Sequence, residues 1–247
     1  MAASQHYSIK FDDITLHYTK QGSGDPLLLL HGWLQTSAFW EPYVKSLADD
    51  YEVYSIDLRG HGRTSVLTEK FSITEASTDI RAMIRALKLE RVKAIGLSYG
   101  GLVLLGAAAA DTGLIDKMVL IGVSNRYNGS ENQSGKQVFR FDDMDAGFRG
   151  ILLEQHPFGE EQIRALFNPN INYQIDIGDE QLREIKTSVL IVNGDSDEIV
   201  GINGAFNIFK NVPDAFLWIL PGTGHLAIGE HNREDFIEKT RSFFSGW

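Results

Sequence analysis

The sequence predicts an α/β fold in which a mostly parallel, eight-stranded sheet carries helices on both faces. Two observations support this prediction. Short apolar runs alternate with helical patterns along most of the chain, and the run at residues 27–30 is apolar at every position. A continuously apolar strand is buried on both faces, as strands of parallel sheets are. Strands that alternate with helices imply right-handed crossovers between neighbouring strands.

Eight segments have the composition of strands. The first two, 7–11 and 14–19, alternate apolar and polar residues around a turn at 12–13. This alternation predicts a hairpin that adds antiparallel strands at the edge of the sheet. The other six segments are 27–30, 52–58, 92–97, 117–123, 189–192 and 216–220.

Helical patterns fill the gaps between these strands, at 39–47, 74–89, 99–110, 203–209 and 233–244. The second of them carries Ile80, Met83, Ile84 and Leu87 at helical spacing. Thr74 stands where a capping residue is expected, so we predict that this helix begins there.

The segment 126–187 breaks the rhythm of strand and helix. It contains turn segments rich in Gly and Asn, and three short amphipathic runs at 138–153, 160–167 and 179–185. A structureless loop of this length is unusual in a compact domain. We therefore predict a core domain made of residues 1–125 and 188–247, with a helical insertion at 126–187 that is called the cap segment below.

Composition limits the classes of function. The formal net charge of −10, with no long Lys/Arg cluster, disfavours binding to nucleic acid or to anionic membranes. The absence of cysteine excludes disulfides, thiolate catalysis and Cys-based metal sites. Residues 1–13 lack the pattern of a signal peptide, and the longest apolar stretch, 102–110, is too short to span a bilayer. The expected location is the cytoplasm.

The sharpest local signal is the motif GLSYG at residues 96–100, with Gly101 after it. It lies between a predicted strand and a predicted helix, which is the context of a nucleophile elbow around Ser98. A serine in such a tight turn has a strained backbone, and glycines two positions away avoid the resulting clash. The turn directs the N–H of Tyr99 and the start of the helix toward a developing oxyanion.

A second motif, HGW at residues 31–33, follows the strand at 27–30 directly. A tight turn here can present the backbone N–H of Trp33 as a second oxyanion donor. An ordinary glycine turn with a core tryptophan is the alternative interpretation. His31 fits a structural hydrogen-bonding role better than that of a base.

Two carboxylates and one histidine follow the last strands. Asp195 and Asp197 both come just after the strand at 189–192, and His225 stands in a Gly-rich loop after the strand at 216–220. Active groups of open α/β sheets collect at this edge. His225 is therefore the predicted general base for Ser98, and either aspartate can orient it. The spacing Asp195-x-Asp197 does not continue as a calcium loop, and no metal site is predicted.

Together these motifs resemble the α/β-hydrolase family, in its esterase/lipase-like branch. The resemblance rests on LHGW at 30–33, DLRGHGRTS at 57–65, the elbow at Ser98, Gly194-x-x-Asp197 and Gly224-His225. The order Ser, Asp, His is that of the family's triad. The resemblance implies that Asp197 is the triad carboxylate, with Asp195 as the fallback, and that the cap segment is a helical cap over the active site.

The expected activity is that of a serine hydrolase that cleaves a small or medium, hydrophobic carboxylic ester through an acyl-enzyme, with no metal or organic cofactor. The cap segment is rich in aromatic and apolar residues, which either form an apolar wall of the substrate pocket or only pack the cap helices on the core. These residues are Phe139, Phe141, Met144, Phe148, Leu152, Phe158 and Phe167. Serine at the elbow argues against the epoxide hydrolases and haloalkane dehalogenases of this fold, which use a carboxylate nucleophile.

The sequence is also compatible with other activities of the same fold. A lactonase, a thioesterase or a carbon–carbon bond hydrolase would use the same triad. A cofactor-free peroxidase, a lyase or a ligand-binding receptor would share the fold without the hydrolysis. The oligomeric state is not predicted.

Overall fold

The computed structural model describes residues 5–11, 13–64, 67, 71–127, 140–168 and 171–246. The strands within these residues are β1 (Gln5–Lys10), β2 (Thr15–Gly22), β3 (Asp25–Leu30), β4 (Tyr51–Asp57), β5 (Lys93–Leu97), β6 (Lys117–Ile121), β7 (Arg126–Tyr127), β8 (Ile175–Asp176), β9 (Ser188–Gly194) and β10 (Ala215–Leu220). The α-helices are α1 (Glu41–Leu47), α2 (Ile73–Ala86), α3 (Tyr99–Ala110), α4 (Ala146–Gln155), α5 (Glu160–Ala165), α6 (Asp179–Arg183), α7 (Gly201–Asn211) and α8 (Arg233–Ser245). Short 3-10 turns lie at Ser37–Trp40, Phe141–Asp143 and Glu230–Asn232.

Eight strands form one sheet in the order β1-β2-β4-β3-β5-β6-β9-β10. Strand β2 pairs antiparallel with β1 and β4, and every pairing from β4 to β10 is parallel. The predicted fold class and edge hairpin are confirmed. Because the parallel strands point the same way, the loops that follow β3, β5, β6, β9 and β10 emerge at one edge, where α/β proteins build their sites.

Both faces of the sheet are covered. In β3, Leu28 and Leu30 join the apolar cluster that also contains buried residues of α2, α3 and α7. Leu27 and Leu29 join a second cluster, on the other face, with residues of α1 and α8. Side chains of a strand alternate between faces, so a run of four leucines serves both layers.

Helix α2 begins earlier than predicted. Its N-cap is Ser72, whose hydroxyl accepts a hydrogen bond of 3.3 Å from the backbone N–H of Glu75, and Thr74 lies inside the first turn. The Ser-x-x-Glu spacing is that of a capping box, a stronger start signal than an isolated threonine. The prediction that Thr74 caps the helix was therefore wrong by two residues.

The described part of the cap segment contains α4, α5 and α6, at the three predicted amphipathic runs; residues 138 and 139 of the first run lie outside the described residues. Strands β7 and β8 pair antiparallel, Arg126 with Asp176 and Tyr127 with Ile175, so the start of the insertion meets the residues that precede α6 in a short ribbon. Helix α6 contacts the core: Asp179 accepts a 3.0 Å hydrogen bond from Asn207 of α7. The division between core domain and cap segment stays a prediction.

No helix in the described parts of the chain is both long and apolar enough to cross a membrane.

Candidate active site

Ser98 stands at the junction of β5 and α3 with a strained backbone. Its φ of 50° and ψ of −114° are unusual for a residue with a side chain. The Ser98 N–H donates a 2.7 Å hydrogen bond to the carbonyl of Ile121, while its own carbonyl accepts the N–H of Leu102 and so begins the helix. Bonds on both sides hold the turn, which is how a strained residue persists at a functional site.

The glycines around Ser98 are required by close backbone approach. A Cβ on Gly96 would lie 2.7 Å from the carbonyl carbon of Gly100, and a Cβ on Gly100 would lie 2.5 Å from the carbonyl oxygen of Leu30. A Cβ on Gly101 would lie 2.3 Å from a methyl carbon of Val123. These contacts pack α3 against the ends of β3 and β5, and they explain the glycine spacing of the motif.

Ser98, His225 and Asp197 form one hydrogen-bonded chain. Oγ of Ser98 lies 2.8 Å from Nε2 of His225, and Nδ1 of His225 lies 3.1 and 3.0 Å from the two carboxylate oxygens of Asp197. Ser98 is half-buried, whereas His225 and Asp197 are buried. The loop after β6 contacts the imidazole, since a Cβ on Gly122 would lie 3.0 Å from Cε1 of His225.

The carboxylate of Asp197 is held in its ionised form. Burial raises its pKa, but the hydrogen bond and charge of His225 and the N–H groups of Val200 and Ile199 lower the pKa by more. Those N–H groups donate bonds of 3.0 and 2.9 Å to Oδ1. The net effect is a pKa below the ordinary aspartate value.

Asp195 has a different environment. It is exposed, and its Oδ1 accepts hydrogen bonds from the Ser196 hydroxyl at 2.9 Å and from the Thr223 N–H at 3.3 Å. It therefore ties the end of β9 to the loop that carries His225. The structure brings Asp197, and not Asp195, to the imidazole.

The loop after β3 leaves one backbone donor open. The N–H of Gly32 donates to the Gln35 side chain at 2.9 Å, and that of Leu34 donates to Nε2 of His61 at 3.2 Å. Between them, the N–H of Trp33 has no acceptor among the residues that the structure describes. Tyr99 begins α3, so its N–H has no carbonyl partner within the helix. The two predicted oxyanion donors therefore stand in adjoining turns and are both available.

Two buried histidines brace these turns. Nε2 of His31 accepts the N–H of Leu58 at 3.0 Å, and its Nδ1 donates to the carbonyl of Gly32 at 2.7 Å. The rings of His31 and His61 lie 5.0 Å apart. Burial lowers the pKa of His31 to about 4 and that of His61 well below its ordinary value, so both are neutral at pH 7. Neutral rings can accept the backbone N–H bonds that shape the loops.

The cap segment reaches the site at Trp33. The Trp33 ring lies 4.8 Å from that of Phe167 and 6.0 Å from that of Tyr173, and its Nε1 donates to the Tyr173 hydroxyl at 3.1 Å. Neither Tyr173 nor the buried Gln162, which donates to the carbonyls of Gly60 and Gly62, stands out in the sequence. Their partners are far away along the chain, so no local spacing could have revealed them.

Some of the apolar side chains of the cap segment pack against one another. Six residues of the segment and its neighbourhood form a buried cluster: Leu34, Phe141, Met144, Leu152, Ile163 and Leu166. Phe148 and Phe158 are exposed instead, and Phe139 lies outside the described residues. Among the described residues no three His, Asp or Glu side chains come together as a group that could hold a metal ion.

Comparison with known proteins places this arrangement in a family. A sequence model described as "alpha/beta hydrolase fold" matches residues 25–166. The chain is 23% identical to 2-hydroxy-6-oxo-6-(2'-aminophenyl)hexa-2,4-dienoic acid hydrolase from Metapseudomonas resinovorans, over 94% of this chain and 88% of that protein. It is 33% identical to (E)-2-((N-methylformamido)methylene)succinate hydrolase from Acinetobacter baylyi, over 66% of this chain and 61% of that protein.

Among solved structures, the esterase RhEst1 from Rhodococcus sp. ECU1013 is similar with a TM-score of 0.76 and 26% identity, over 99% of both chains. The sheet order, the loops at its carboxyl edge and these matches agree. The chain therefore belongs to the α/β hydrolase fold family.

Proposed function

We propose that this protein is a serine hydrolase that cleaves a carboxylic ester through an acyl-enzyme. The observation that carries the proposal is the hydrogen-bonded chain from Ser98 through His225 to Asp197, with 2.8 Å between Oγ and Nε2. A serine is a weak nucleophile at neutral pH unless an adjacent base takes its proton. An imidazole whose other nitrogen faces a buried carboxylate is such a base.

The proposed mechanism has two halves. Nε2 of His225 takes the hydroxyl proton as Oγ of Ser98 attacks the acyl carbon, and the same proton is then given to the leaving alkoxide. A water molecule, deprotonated by His225, attacks the acyl carbon; the bond from that carbon to Oγ of Ser98 breaks, His225 returns the proton to Oγ, and the acid is released. Asp197 holds the imidazole in the tautomer with Nδ1 protonated and stabilises the imidazolium that forms in each half.

The negative charge that develops on the carbonyl oxygen needs donors that are already in place. We assign this role to the N–H groups of Trp33 and Tyr99. Each oxyanion donor is typically worth about 10²–10³ in turnover. The dipole of α3, whose N-terminus lies at Ser98, adds favourable potential at the same point.

We further propose a small or medium hydrophobic ester as the substrate. The support is a cluster of aromatic side chains that includes Tyr99, next to Ser98; Trp33, Phe167 and Tyr173 of this cluster are only partly buried, Phe71 and Tyr99 are buried, and none is charged. Similarity to the esterase RhEst1 over nearly the whole chain also supports an ester. We propose as well that the protein acts in the cytoplasm on a free small molecule, independent of nucleic acid and membranes.

A decisive experiment uses nitrophenyl esters of increasing acyl length with the wild-type protein, Ser98→Ala and the control Ser46→Ala, which alters a half-buried serine on α1. We expect a burst of nitrophenol in the wild type and in Ser46→Ala, and at least a 10³-fold loss of turnover in Ser98→Ala. Full activity of Ser98→Ala would overturn the proposal.

Two relatives are named as hydrolases of other substrates, one of a substituted hexadienoic acid and one of a substituted succinate, so a second comparison is necessary. Parallel assays with a lactone, a thioester and a β-diketone of matched size separate these bond classes. A preference for the ester of at least tenfold in kcat/KM supports the proposal, and a preference for the diketone contradicts the ester assignment while leaving the triad intact.

A further inference from the structure

Tyr173 links the cap segment to the loop of Trp33 through its hydroxyl. The hydroxyl oxygen accepts the Nε1–H of Trp33 at 3.1 Å and donates to the carbonyl of Leu166 at 2.8 Å. Leu166 is the C-cap of α5, so the relay joins the end of a cap-segment helix to the turn after β3. Burial raises the pKa of Tyr173, which keeps the hydroxyl protonated and able to donate at neutral pH.

The ring of Tyr173 also contacts the turn of Ser98. Its centroid lies 6.0 Å from the ring of Trp33 and 6.0 Å from the ring of Tyr99, in edge-to-face geometry with both. Phe71 supports it from a third side at 5.9 Å. Tyr173 therefore touches the side chains of both residues whose backbone N–H groups face the proposed oxyanion.

We propose that Tyr173 is a positioning residue that fixes the two oxyanion donors relative to each other and makes their alignment depend on the cap segment. The proposal rests on the oxyanion assignment under the proposed function. Oxyanion donors act through preorganisation, and a displacement of about 1 Å at a reacting centre can cost about 10² in rate. The peptide that carries the Trp33 N–H is held at its Gly32 carbonyl by Nδ1 of His31 at 2.7 Å and by the N–H of Gln35 at 3.2 Å, and the indole of Trp33 adds a further tie through the Tyr173 hydroxyl.

This role predicts a particular kinetic signature. A looser oxyanion hole weakens binding of the transition state and leaves binding of the ground-state ester unchanged. Loss of the Tyr173 hydroxyl should therefore lower kcat with KM nearly constant. Loss of a merely structural contact would instead lower thermal stability and leave kcat per folded molecule unchanged.

The experiment compares Tyr173→Phe with Tyr127→Phe on the best nitrophenyl ester. Tyr127 is half-buried and pairs with Ile175 in the β7–β8 ribbon, and its hydroxyl makes no hydrogen bond to the described residues. We expect kcat to fall about 5- to 20-fold in Tyr173→Phe, which is less than the roughly 10²–10³ for loss of a whole donor, and to stay within twofold in Tyr127→Phe. The rate at which a phosphonate ester labels Ser98 should fall in parallel, because that reaction also places an oxygen in the oxyanion hole.

A second variant, Trp33→Phe, removes the same hydrogen bond from the donor side. If the bond carries the effect, the double variant Trp33→Phe/Tyr173→Phe should lose no more than the worse single variant. Losses that multiply, an unchanged kcat in Tyr173→Phe, or a change confined to KM would each overturn the proposal. If Tyr173→Phe does not fold, the kcat and KM of Trp33→Phe decide the question.

The test of the positioning role of Tyr173 can be distinguished from the test of the serine mechanism. Activity retained in Ser98→Ala defeats the serine mechanism itself. Loss of activity in Ser98→Ala together with wild-type kcat in Tyr173→Phe defeats only the positioning role.

Discussion

Nδ1 of His225 lies 3.0 Å from one carboxylate oxygen of Asp197, and the backbone N–H groups of Ile199 and Val200 donate to the other oxygen. Asp197→Asn should therefore lower kcat by about 10³–10⁴, because an amide no longer selects the tautomer in which Nε2 can accept the serine proton. Burst kinetics with a nitrophenyl ester measure this loss.

Asp195→Asn is the matched control, two residues away. Its amide oxygen can still accept the N–H of Thr223, so we expect kcat to change by less than about fivefold. An equal loss in both variants would contradict the assignment of Asp197 as the orienting carboxylate.

Gly100→Ala should destabilise the protein by about 2–3 kcal/mol or more, since the new methyl would lie 2.5 and 2.6 Å from the carbonyl oxygens of Leu30 and His31. Alanine is the better helix former, so helix propensity opposes this loss and cannot cause it. Urea unfolding measures the free-energy difference. Gly113→Ala, where a Cβ meets nothing within 4 Å, should change the unfolding free energy by no more than about 1 kcal/mol.

The free energy of unfolding should decrease as the pH falls below about 6.5, a range that lies above the pH at which most carboxylates titrate. Burial lowers the pKa values of His31, His61 and His156, so the unfolded chain binds protons at these residues from about pH 6.5 downward while the folded chain does not. The free energy of unfolding is therefore highest above pH 6.5 and decreases as pH falls. His31 alone, with a folded pKa of about 4, contributes on the order of 3 kcal/mol to this loss.

Urea unfolding at several pH values between 7.5 and 4.5 tests this expectation. Carboxylates with lowered pKa values lose their contribution only near and below their ordinary values of 3.8–4.5, and Asp79, whose pKa burial raises, changes stability in the opposite direction, so a fall in the upper part of the range is due to the histidines. His156→Leu removes one of the three groups and should flatten the slope. A free energy that is constant from pH 7 to 5 would contradict the prediction.

Gln162→Leu should loosen the cap segment. The buried amide donates 3.2 and 2.8 Å hydrogen bonds to the carbonyls of Gly60 and Gly62, which would lose these donors. We expect a loss of about 2 kcal/mol or more in unfolding free energy and faster hydrogen exchange in α5. Gln155→Leu, which alters a half-buried residue at the end of α4, is the control and should leave exchange in α5 unchanged.

The sequence predicts the sheet well because a strand that is buried on both faces has apolar residues at consecutive positions. The leucines of β3 are consecutive apolar residues, and the glycines around Ser98 have the spacing of a known turn, so both are recognisable even though Gly100 packs on the distant Leu30. Asp195 and Asp197 are harder to separate, since both follow β9; the difference arises from how the loop folds back on Ile199 and Val200. Only the resemblance to a family favours Asp197 at the level of sequence.

Contacts between residues that are far apart in the chain produce no local sequence pattern. Trp33 and Tyr173 are 140 positions apart, and neither belongs to a motif that names the other. The start of α2 lies between these two extremes. The Ser-x-x-Glu spacing that begins at Ser72 is visible in the sequence, but Thr74 is a second possible capping residue.

The β7–β8 ribbon pairs Tyr127, at the start of the cap segment, with Ile175, and α6 lies outside the loop that this ribbon closes. Ser98, Asp197 and His225 all lie outside it. The stretch between these two strands is thus a cassette closed at its base, and its exchange by recombination or by design should leave the strands around Ser98 in place if the graft keeps the backbone bonds of Asn172 to Phe71 and Ile73. The hydroxyl of Tyr173 sets a condition on such grafts: a transplanted cassette has to bring its own hydrogen-bond acceptor to the indole of Trp33.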